Sequence, residues 1–435
     1  MRQSKPSHTF WSVAFGHMTV DMFNGMGPVL LAFLSAHILT LSNTQLGFAI
    51  SLYQLAGALS QPLFGLLGDR TGGRLLGAGG VVWSVTLLLS SLVIAQVTRN
   101  YYLMIVPYAL SSLGSGAFHP VGAMHASEAN RERAATNTGI FFLMGQIGLA
   151  IGPALAGFLL DRFASQNNHV FADALGPVFA GRLLETGTVA PIISLGLLAI
   201  PSALFMFLSL PNLRAHLERR AASAAHVAAE VAGSARLPLA ALALLALVVA
   251  LRSLINPALA SFIPRMFQLK GWDAAAYGFV TSAFWLGGGV SGVLIGSLAD
   301  RYDSRWLVAI TLILSAPALF LLTEVDGPAA IVMALAVGAL SGGSHSLLVV
   351  QAQSLLPGRK GLASGAILGF MFSTGALGTL LIGALSDRIG LTNAFTVVAA
   401  ITVVTGFLGL ALPPDKRRER VVVTAKPEAA ASSGD

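Results

Sequence analysis

The chain of 435 residues has no cysteine and few charged residues. Without cysteine, the protein can form no disulfide, thiolate metal site or cysteine nucleophile. Soluble domains carry about 25% charged residues, whereas this chain has 10% charged and 55% hydrophobic residues. So few charges cannot cover a water-exposed surface. The composition therefore excludes a set of soluble domains and predicts an integral membrane protein, with the lipid bilayer as its immediate partner.

Sequence patterns for nucleotide or metal chemistry are also missing. The chain has no phosphate-binding glycine loop, no His-Glu-x-x-His and no clustered carboxylates. We therefore expect no cofactor, no metal and no ATP hydrolysis by this chain alone. The net charge of +7 is spread over short loops between apolar runs, which argues against a nucleic-acid partner and is typical of membrane topology.

Twelve apolar runs are long enough to cross about 30 Å of hydrocarbon as helices. They cover residues 10–36, 44–68, 75–97, 102–126, 134–160, 189–210, 237–263, 274–299, 305–323, 328–355, 360–386 and 391–412. The predicted fold class is all-α integral membrane, with twelve transmembrane helices in two pseudo-symmetric six-helix bundles. We place the N-terminal bundle at 1–210, a cytoplasmic linker at 211–236, the C-terminal bundle at 237–412 and a disordered cytoplasmic tail at 413–435. A monomer is the default expectation.

The distribution of Lys and Arg predicts the orientation. If both termini are cytoplasmic, 19 of the 26 basic residues lie on the cytoplasmic side. One, Arg252, lies inside an apolar run, and six lie in outer loops: Arg99, Arg162, Arg182, Arg265, Lys270 and Arg388. Cytoplasmic loops of membrane proteins are enriched in basic residues. We therefore expect a multi-pass protein of the cell inner (plasma) membrane with both termini inside.

A short motif, Gly-x-x-x-Asp-Arg, is repeated four times at the ends of apolar runs. Its Asp-Arg pairs are Asp69-Arg70, Asp161-Arg162, Asp300-Arg301 and Asp387-Arg388. The first and third copies are 231 residues apart, and the second and fourth are 226 apart. Alternate copies fall at opposite membrane faces. The repeat therefore predicts two similar halves, each built from inverted three-helix units.

The segment from Gly65 to Arg74 resembles the loop between helices two and three of the major facilitator superfamily, with Gly73 in place of one basic residue. Within that superfamily the chain is similar to fosmidomycin-resistance exporters. The matching segments are Gly16-His17-x-x-x-Asp21, Tyr53-Gln54-Leu55-Ala56, Gln61-Pro62-Leu63-Phe64-Gly65, Gly114-Ser115-Gly116-Ala117-Phe118-His119-Pro120 and Gly145-Gln146-x-Gly148 followed by Gly152-Pro153. The chain departs from that pattern at Val121 and Met124, where the family has an acidic and a basic residue, and at Gln146, where it has Asn. The resemblance implies drug export and places Asp69, Arg70, Arg74, Asp300 and Arg301 in a gate.

Ionisable residues at membrane depth are costly and are functional candidates. His17, Asp21 and Asn24 are spaced to share one helical face. They form either an interhelical hydrogen-bond cluster or a site for protons and substrate. The 231-residue offset maps Asp21 onto Arg252, which shares a face with Asn256. We expect Asp21 and Arg252 to face each other across a central cavity, as a structural lock or as a coupling pair.

The 226-residue offset aligns two copies of a second motif, Ser-Gly-x-x-His, which end at His119 and His345. Imidazole has an unperturbed pKa of about 6.5 and exchanges protons near neutral pH, although packing alone could preserve both copies. The proton-coupling candidates are thus His17, Asp21, His119 and His345. The substrate-binding candidates are Asn24, Gln54, Gln146, Arg252 and Asn256.

These residues predict a secondary active transporter that moves a small-molecule substrate by alternating access. Proton-coupled efflux (antiport) of a small drug-like or organic anionic compound is the first hypothesis. Uptake of a small carboxylate or phosphonate by proton symport would use the same machinery. A membrane-embedded enzyme or sensor would need a catalytic constellation or a soluble domain that the sequence lacks, so we expect no enzymatic activity.

Overall fold

A computed structural model describes residues 8–129, 134–163, 189–212, 239–299, 301–355 and 360–414. All regular secondary structure in these ranges is helical. The predicted linker from residue 213 on, the predicted tail from residue 415 on and Asp300 lie outside the described residues.

Six helical segments form the N-terminal half. They are α1 (His8–Leu34, continued by the π-helical turn Ser35–Leu39), α2 (Asn43–Thr71), α3 (Arg74–Thr98), α4 (Tyr101–Glu128), α5 (Ala134–Phe163), and a sixth segment made of α6a (Ala190–Ile193), the 3-10 turn Ser194–Leu198 and α6b (Ala199–Ser209). Within this half α1 packs on α4 and α5, and α2 and α3 pack on α4. This arrangement brings the polar face of α1 against α4 and α5.

Six further segments form the C-terminal half. They are α7 (Leu239–Leu269), α8 (Ala274–Ala299), α9 (Ser304–Glu324), a tenth segment split into α10a (Pro328–Gly342) and α10b (Ser344–Leu355), α11 (Lys360–Ile389) and α12 (Leu391–Leu410). The prediction of twelve helical segments in two sets of six is confirmed. Two boundaries differ, because α7 continues to Leu269 and the tenth segment is interrupted at Gly343.

Nine stretches of the described residues are long and apolar enough to cross a membrane. They do not include α2 and α4, because both helices carry many small and polar residues. Such residues are tolerated where a helix faces protein or a polar cavity and not lipid. The lower hydropathy of α2 and α4 therefore reflects the face of each helix that packs on other helices, while large apolar side chains such as Leu63 and Val106 remain exposed on the opposite face.

The two halves meet along α2 with α11 and along α5 with α8. The hydrogen bonds across this interface include Ser51 Oγ to the Ala376 carbonyl (2.6 Å) and Ala154 N to Ser282 Oγ (2.8 Å). Both lie toward the end of the molecule where α1 ends and α2 begins. At this end the two halves are closed against each other.

The start of α2 is the centre of this closed end. Asp387 of α11 accepts hydrogen bonds from the Asn43 and Thr44 amides (2.9 and 2.8 Å) and so caps a helix of the other half. Carboxylates are favourable at helix N-termini because they satisfy free N–H groups and the helix dipole. Arg265 donates to Asn43 Oδ1 (3.1 Å) and to the Leu41 carbonyl (3.0 Å). Arg265 is therefore a buried residue of α7 that joins the halves, and its predicted place in an outer loop is wrong.

Candidate functional site

The polar face of α1 carries a buried cluster of ionisable groups. His17 Nε2 lies 3.1 Å from Asp21 Oδ2, and Asn24 Nδ2 donates to Asp21 Oδ1 (3.0 Å). From α4, His119 Nε2 lies 3.4 Å from Asp21 Oδ1. Asp21 is 7% exposed and His17 is 2% exposed. The predicted shared face of His17, Asp21 and Asn24 is confirmed, and His119 joins it from another helix.

Backbone carbonyls define which nitrogen of each imidazole carries a hydrogen. His17 Nδ1 lies 2.7 Å from the Phe141 carbonyl, and His119 Nδ1 lies 2.8 Å from the Ser115 carbonyl. A carbonyl only accepts hydrogen bonds, so both Nδ1 atoms carry hydrogen. Both Nε2 atoms then point at the Asp21 carboxylate, and each contact is attractive only when a proton lies between nitrogen and oxygen. The cluster therefore contains two positions, one at each Nε2, where a proton can lie between an imidazole and the carboxylate.

Neighbouring side chains hold the Asn24 amide in one orientation. Its Nδ2 also donates to Ser115 Oγ (3.1 Å), and its Oδ1 accepts a hydrogen bond from the Tyr53 hydroxyl. Tyr53 thereby ties α2 to the α1 cluster. The network leaves Asn24 Nδ2 facing Asp21, so Asn24 supports the charged form of the carboxylate.

In the C-terminal half, Arg252 is buried with 5% exposure and is surrounded by neutral acceptors. Its Nε donates to Ser344 Oγ (3.1 Å), Nη1 to His345 Nδ1 (3.1 Å), and Nη2 to the Ser341 and Gly342 carbonyls (3.1 and 3.4 Å). A charge at a helix centre costs about 2.5–3.5 kcal/mol on insertion scales. These four contacts offset much of that cost and leave the positive charge in place.

Asp21 and Arg252 do not pair with each other in this structure. Asp21 is bonded to residues of α1 and α4, and Arg252 to residues of α10a and α10b. This conformation therefore contains no direct ion pair between them, and their predicted placement across a central cavity stays a prediction. Each side chain is hydrogen-bonded within its own half, to residues of the Ser-Gly-x-x-His motif of that half among others.

The remaining binding candidates lie near these two clusters or at the interface. Asn256 Nδ2 donates to Ser341 Oγ (2.9 Å), one turn from Arg252. Gln146 of α5 lies against Gly289 of α8, in an apolar groove between the halves. Gln54 of α2 is half-buried, and its Oε1 has no hydrogen-bond partner in the described part of the chain. An unpaired buried acceptor is costly, which makes Gln54 available to a ligand donor.

The gate candidates lie at the opposite end from Asp387. Gly72 and Gly73 between α2 and α3 have φ of +77° and +73°, a conformation that favours glycine. Asp69, Arg70 and Arg301 are exposed, while Arg74 Nε donates to the Leu210 carbonyl (2.7 Å) and so joins α3 to the end of α6b.

Gly73 and Val121, two positions that depart from the family pattern, lie against each other in the gate region. A Cβ at Gly73 would lie only 2.6 Å from Val121 Cγ1, so the methyl groups of Val121 fill the space beside the loop. The basic residue expected at position 73 and the acidic residue expected at position 121 are thus replaced by an apolar contact.

Three contributors to the clusters could not be assigned from sequence. These three are examples: Ser344, the Ser341 carbonyl and the Phe141 carbonyl. Main-chain carbonyls carry no residue signature, and Ser344 is one of many serines in apolar runs. Tyr53 lies in a family-like segment, but no spacing rule connects it with Asn24.

The ligand atoms of His17, Asp21 and His119 lie within 4.8 Å of one another, which is close enough to surround a cation. The two Nε2–carboxylate distances of 3.1 and 3.4 Å are those of hydrogen bonds. The expectation of no metal and no cofactor stays a prediction.

Two bundles of six helices, each with its own buried cluster of ionisable and polar groups, are typical of membrane transport proteins. A sequence profile of the Major Facilitator Superfamily matches residues 11–167 and 241–434. The chain therefore belongs to the major facilitator superfamily, and it is a multi-pass membrane transporter and not an enzyme.

Two curated relatives illustrate this relationship. The fosmidomycin resistance protein of Escherichia coli (strain K12) is 23% identical over 415 residues, which cover 94% of this chain and 93% of that protein. The uncharacterized MFS-type transporter YfnC of Bacillus subtilis (strain 168) is 39% identical over 149 residues, and the match spans only 34% of YfnC. The first similarity extends over both halves, whereas the second covers a third of the chain.

Solved structures share the fold at low sequence identity. A bacterial homologue of the human lysosomal transporter Spinster, in an inward-facing and occupied conformation, has a TM-score of 0.72 with 15% identity and covers 98% of this chain and 100% of that one. The inward-open xylose transporter XylE from E. coli has a TM-score of 0.70 with 12% identity over 94% of this chain and 97% of that one. These likenesses confirm the predicted fold.

Proposed function

We propose that the protein is a proton-coupled exporter of a small drug-like or organic anionic compound. The observation that carries this proposal is the carboxylate of Asp21 held between two imidazoles, each with its Nδ1 hydrogen committed to a carbonyl. Proton gain and loss at this buried group would change the charge of the cavity wall by one unit at a time. The similarity to the fosmidomycin resistance protein supports export and a role in drug resistance.

Alternating access would couple that proton exchange to substrate movement. With both termini cytoplasmic, as the basic residues indicate, the end closed by Asp387 and Arg265 is the outer end. The structure then corresponds to a state that is closed to the outside. Return to the outward-open state would break the Asp387 cap on α2 and bring the Asp69 and Asp300 ends together.

The experiment that tests this function is transport by purified protein in proteoliposomes under an imposed pH gradient. A panel of small anions, their uncharged analogues and fosmidomycin would be offered from outside. An antiporter accumulates its substrate when the lumen is acidic, because protons leave as substrate enters. A symporter does so when the lumen is alkaline. Equal accumulation with an acidic lumen and with an alkaline lumen would refute proton coupling.

A gate role for Asp69 predicts a loss of turnover without a loss of binding. Asp69 lies at the exposed end of α2, far along the helix from Tyr53 and the Asp21 cluster. We expect Asp69→Ala to lower the transport rate while the dissociation constant of the transported compound stays within about twofold, since no binding free energy is removed. Glu128→Ala, at the exposed end of α4, is the matched control. Weakened binding with an unchanged rate per bound substrate would contradict the gate role.

A further inference from the structure

The two copies of the Ser-Gly-x-x-His motif place their histidines in opposite electrostatic surroundings. His119 Nε2 faces the Asp21 carboxylate at 3.4 Å, whereas His345 Nδ1 faces Arg252 Nη1 at 3.1 Å. A guanidinium only donates hydrogen bonds, so Nδ1 of His345 is an acceptor and its hydrogen lies on Nε2. His345 therefore makes this bond only as a neutral imidazole.

We infer that Arg252 and His345 form an oxyanion-binding site in the C-terminal half, in which His345 is a fixed neutral N–H donor and not a proton carrier. The inference rests on the proposed transport function and names the group through which a substrate is held. That group is a carboxylate, phosphonate or sulfonate. It also revises the sequence prediction that both motif histidines exchange protons.

The charge of Arg252 is the first reason for an anion. All four acceptors of its hydrogen bonds are neutral, and no described carboxylate lies within ion-pair distance of it. The described acidic residues of the C-terminal half are Asp273, Asp303, Glu324, Asp326 and Asp387, and all lie at helix ends or in loops. None of these described carboxylates neutralises Arg252 at its depth, and a buried uncompensated cation attracts an anion.

The donor set is the second reason. With Nδ1 bonded to Arg252, the Nε2–H of half-buried His345 has no acceptor in the described part of the chain. The two ring nitrogens point to opposite sides, so an oxyanion that accepts from Nε2–H lies on the far side of the imidazole from Arg252. The hydrogen bond from the charged guanidinium polarises the ring and strengthens Nε2–H as a donor to an oxygen anion.

The neighbouring helices add no second titratable group at this depth. The described residues of α8, α9 and α11 carry charged groups only at their ends, and α7 contributes Arg252 and the distant Arg265. Protonation of His345 would place two positive charges 3.1 Å apart, which opposes it. In the pH range in which His119 exchanges its proton, His345 should therefore stay neutral.

Nitrogen-15 NMR of the full chain in nanodiscs, with labelled histidine, tests the protonation of the two residues. His119→Gln and His345→Gln spectra assign the signals. Between pH 5 and 8 we expect His345 to stay in the neutral Nε2–H form, and His119 to interconvert between the imidazolium and a neutral form with hydrogen on Nδ1. Conversion of His345 to the imidazolium in this range would overturn the inference.

Anion binding is tested with the same spectra. Methylphosphonate and benzoate should shift the His345 signal, whereas benzamide, which is uncharged, should not. Arg252→Gln removes the positive charge that polarises the His345 ring and should weaken both anions about 10- to 100-fold, and Arg252→Lys should weaken them less. Equal binding of benzamide, or no shift with either anion, would refute the site.

Side-chain replacements separate a donor from a proton carrier in transport. Glutamine offers both an acceptor for Arg252 and an N–H donor, so His345→Gln should retain pH-driven accumulation while His345→Leu loses it. His119→Gln is the matched variant and should lose the pH dependence. Loss of pH-driven accumulation in His345→Gln would assign proton transfer to His345 and overturn the inference. If wild-type protein accumulates nothing under a pH gradient but still binds the anions, the proposed coupling fails and the oxyanion site stands.

Discussion

Replacing Asp21 by asparagine is expected to abolish accumulation driven by a pH gradient, down to the level of protein-free liposomes. The asparagine amide can still accept from Asn24 and donate to one neutral imidazole, so the cluster stays hydrogen-bonded and the protein folds. It can no longer exchange a proton with His17 or His119, which lie 3.1 and 3.4 Å from the carboxylate. The measurement is uptake into proteoliposomes with an acidic lumen.

Two controls separate coupling from binding in this experiment. Exchange of labelled for unlabelled compound without a pH gradient should persist in Asp21→Asn, because it needs binding and conformational change but no net proton movement. Asp326→Asn removes an exposed carboxylate that bonds Lys270 in a loop and should accumulate compound normally. If Asp21→Asn accumulated compound like the wild type, Asp21 would have only a packing role and proton coupling would have to lie elsewhere.

Replacing Gly338 by leucine is expected to prevent stable folding. Gly338 of α10a lies directly against the main chain of Phe284 in α8, and a Cβ at this position would overlap the Phe284 carbonyl group. Overpacking costs about 1–3 kcal/mol where side chains can shift. Here the obstacle is backbone, so the two helices would have to separate and lose their close contact. We expect little monodisperse protein on size exclusion, or a markedly lower Tm in detergent.

The matched control is Gly292→Leu on α8. A Cβ at Gly292 would meet nothing within 4 Å, so this variant adds the same hydrophobic bulk without a clash. It should keep the wild-type yield and Tm. A Tm for Gly338→Leu equal to that of Gly292→Leu would show that α8 and α10a are not in close contact in the folded protein.

The sequence was sufficient to predict the helical architecture. Hydropathy is a property of each segment by itself, and the motif repeat can be read directly along the chain. An apolar run must form a helix in lipid, since every backbone hydrogen bond has to be satisfied within the segment. The break at Gly343 was missed although it falls at a glycine pair, because adjacent glycines also lie inside unbroken helices of this chain, as at Gly287–Gly289 of α8. The burial of Arg265 was missed because two of its partners, Asn43 at the start of α2 and Leu41 just before it, are more than 200 residues away in the chain.

For the site, the sequence by itself determined that His17, Asp21 and Asn24 share a face, because that follows from helical periodicity. It also determined that Arg252 is an isolated charge at membrane depth. Only the tertiary structure decided that His119 joins Asp21 while His345 joins Arg252. The repeat makes the two motifs alike in sequence, but the protonation and hydrogen bonds of an imidazole depend on groups that other helices bring to it. Those groups lie 98 residues (Asp21 to His119) and 93 residues (Arg252 to His345) away in the chain, and packing alone places them.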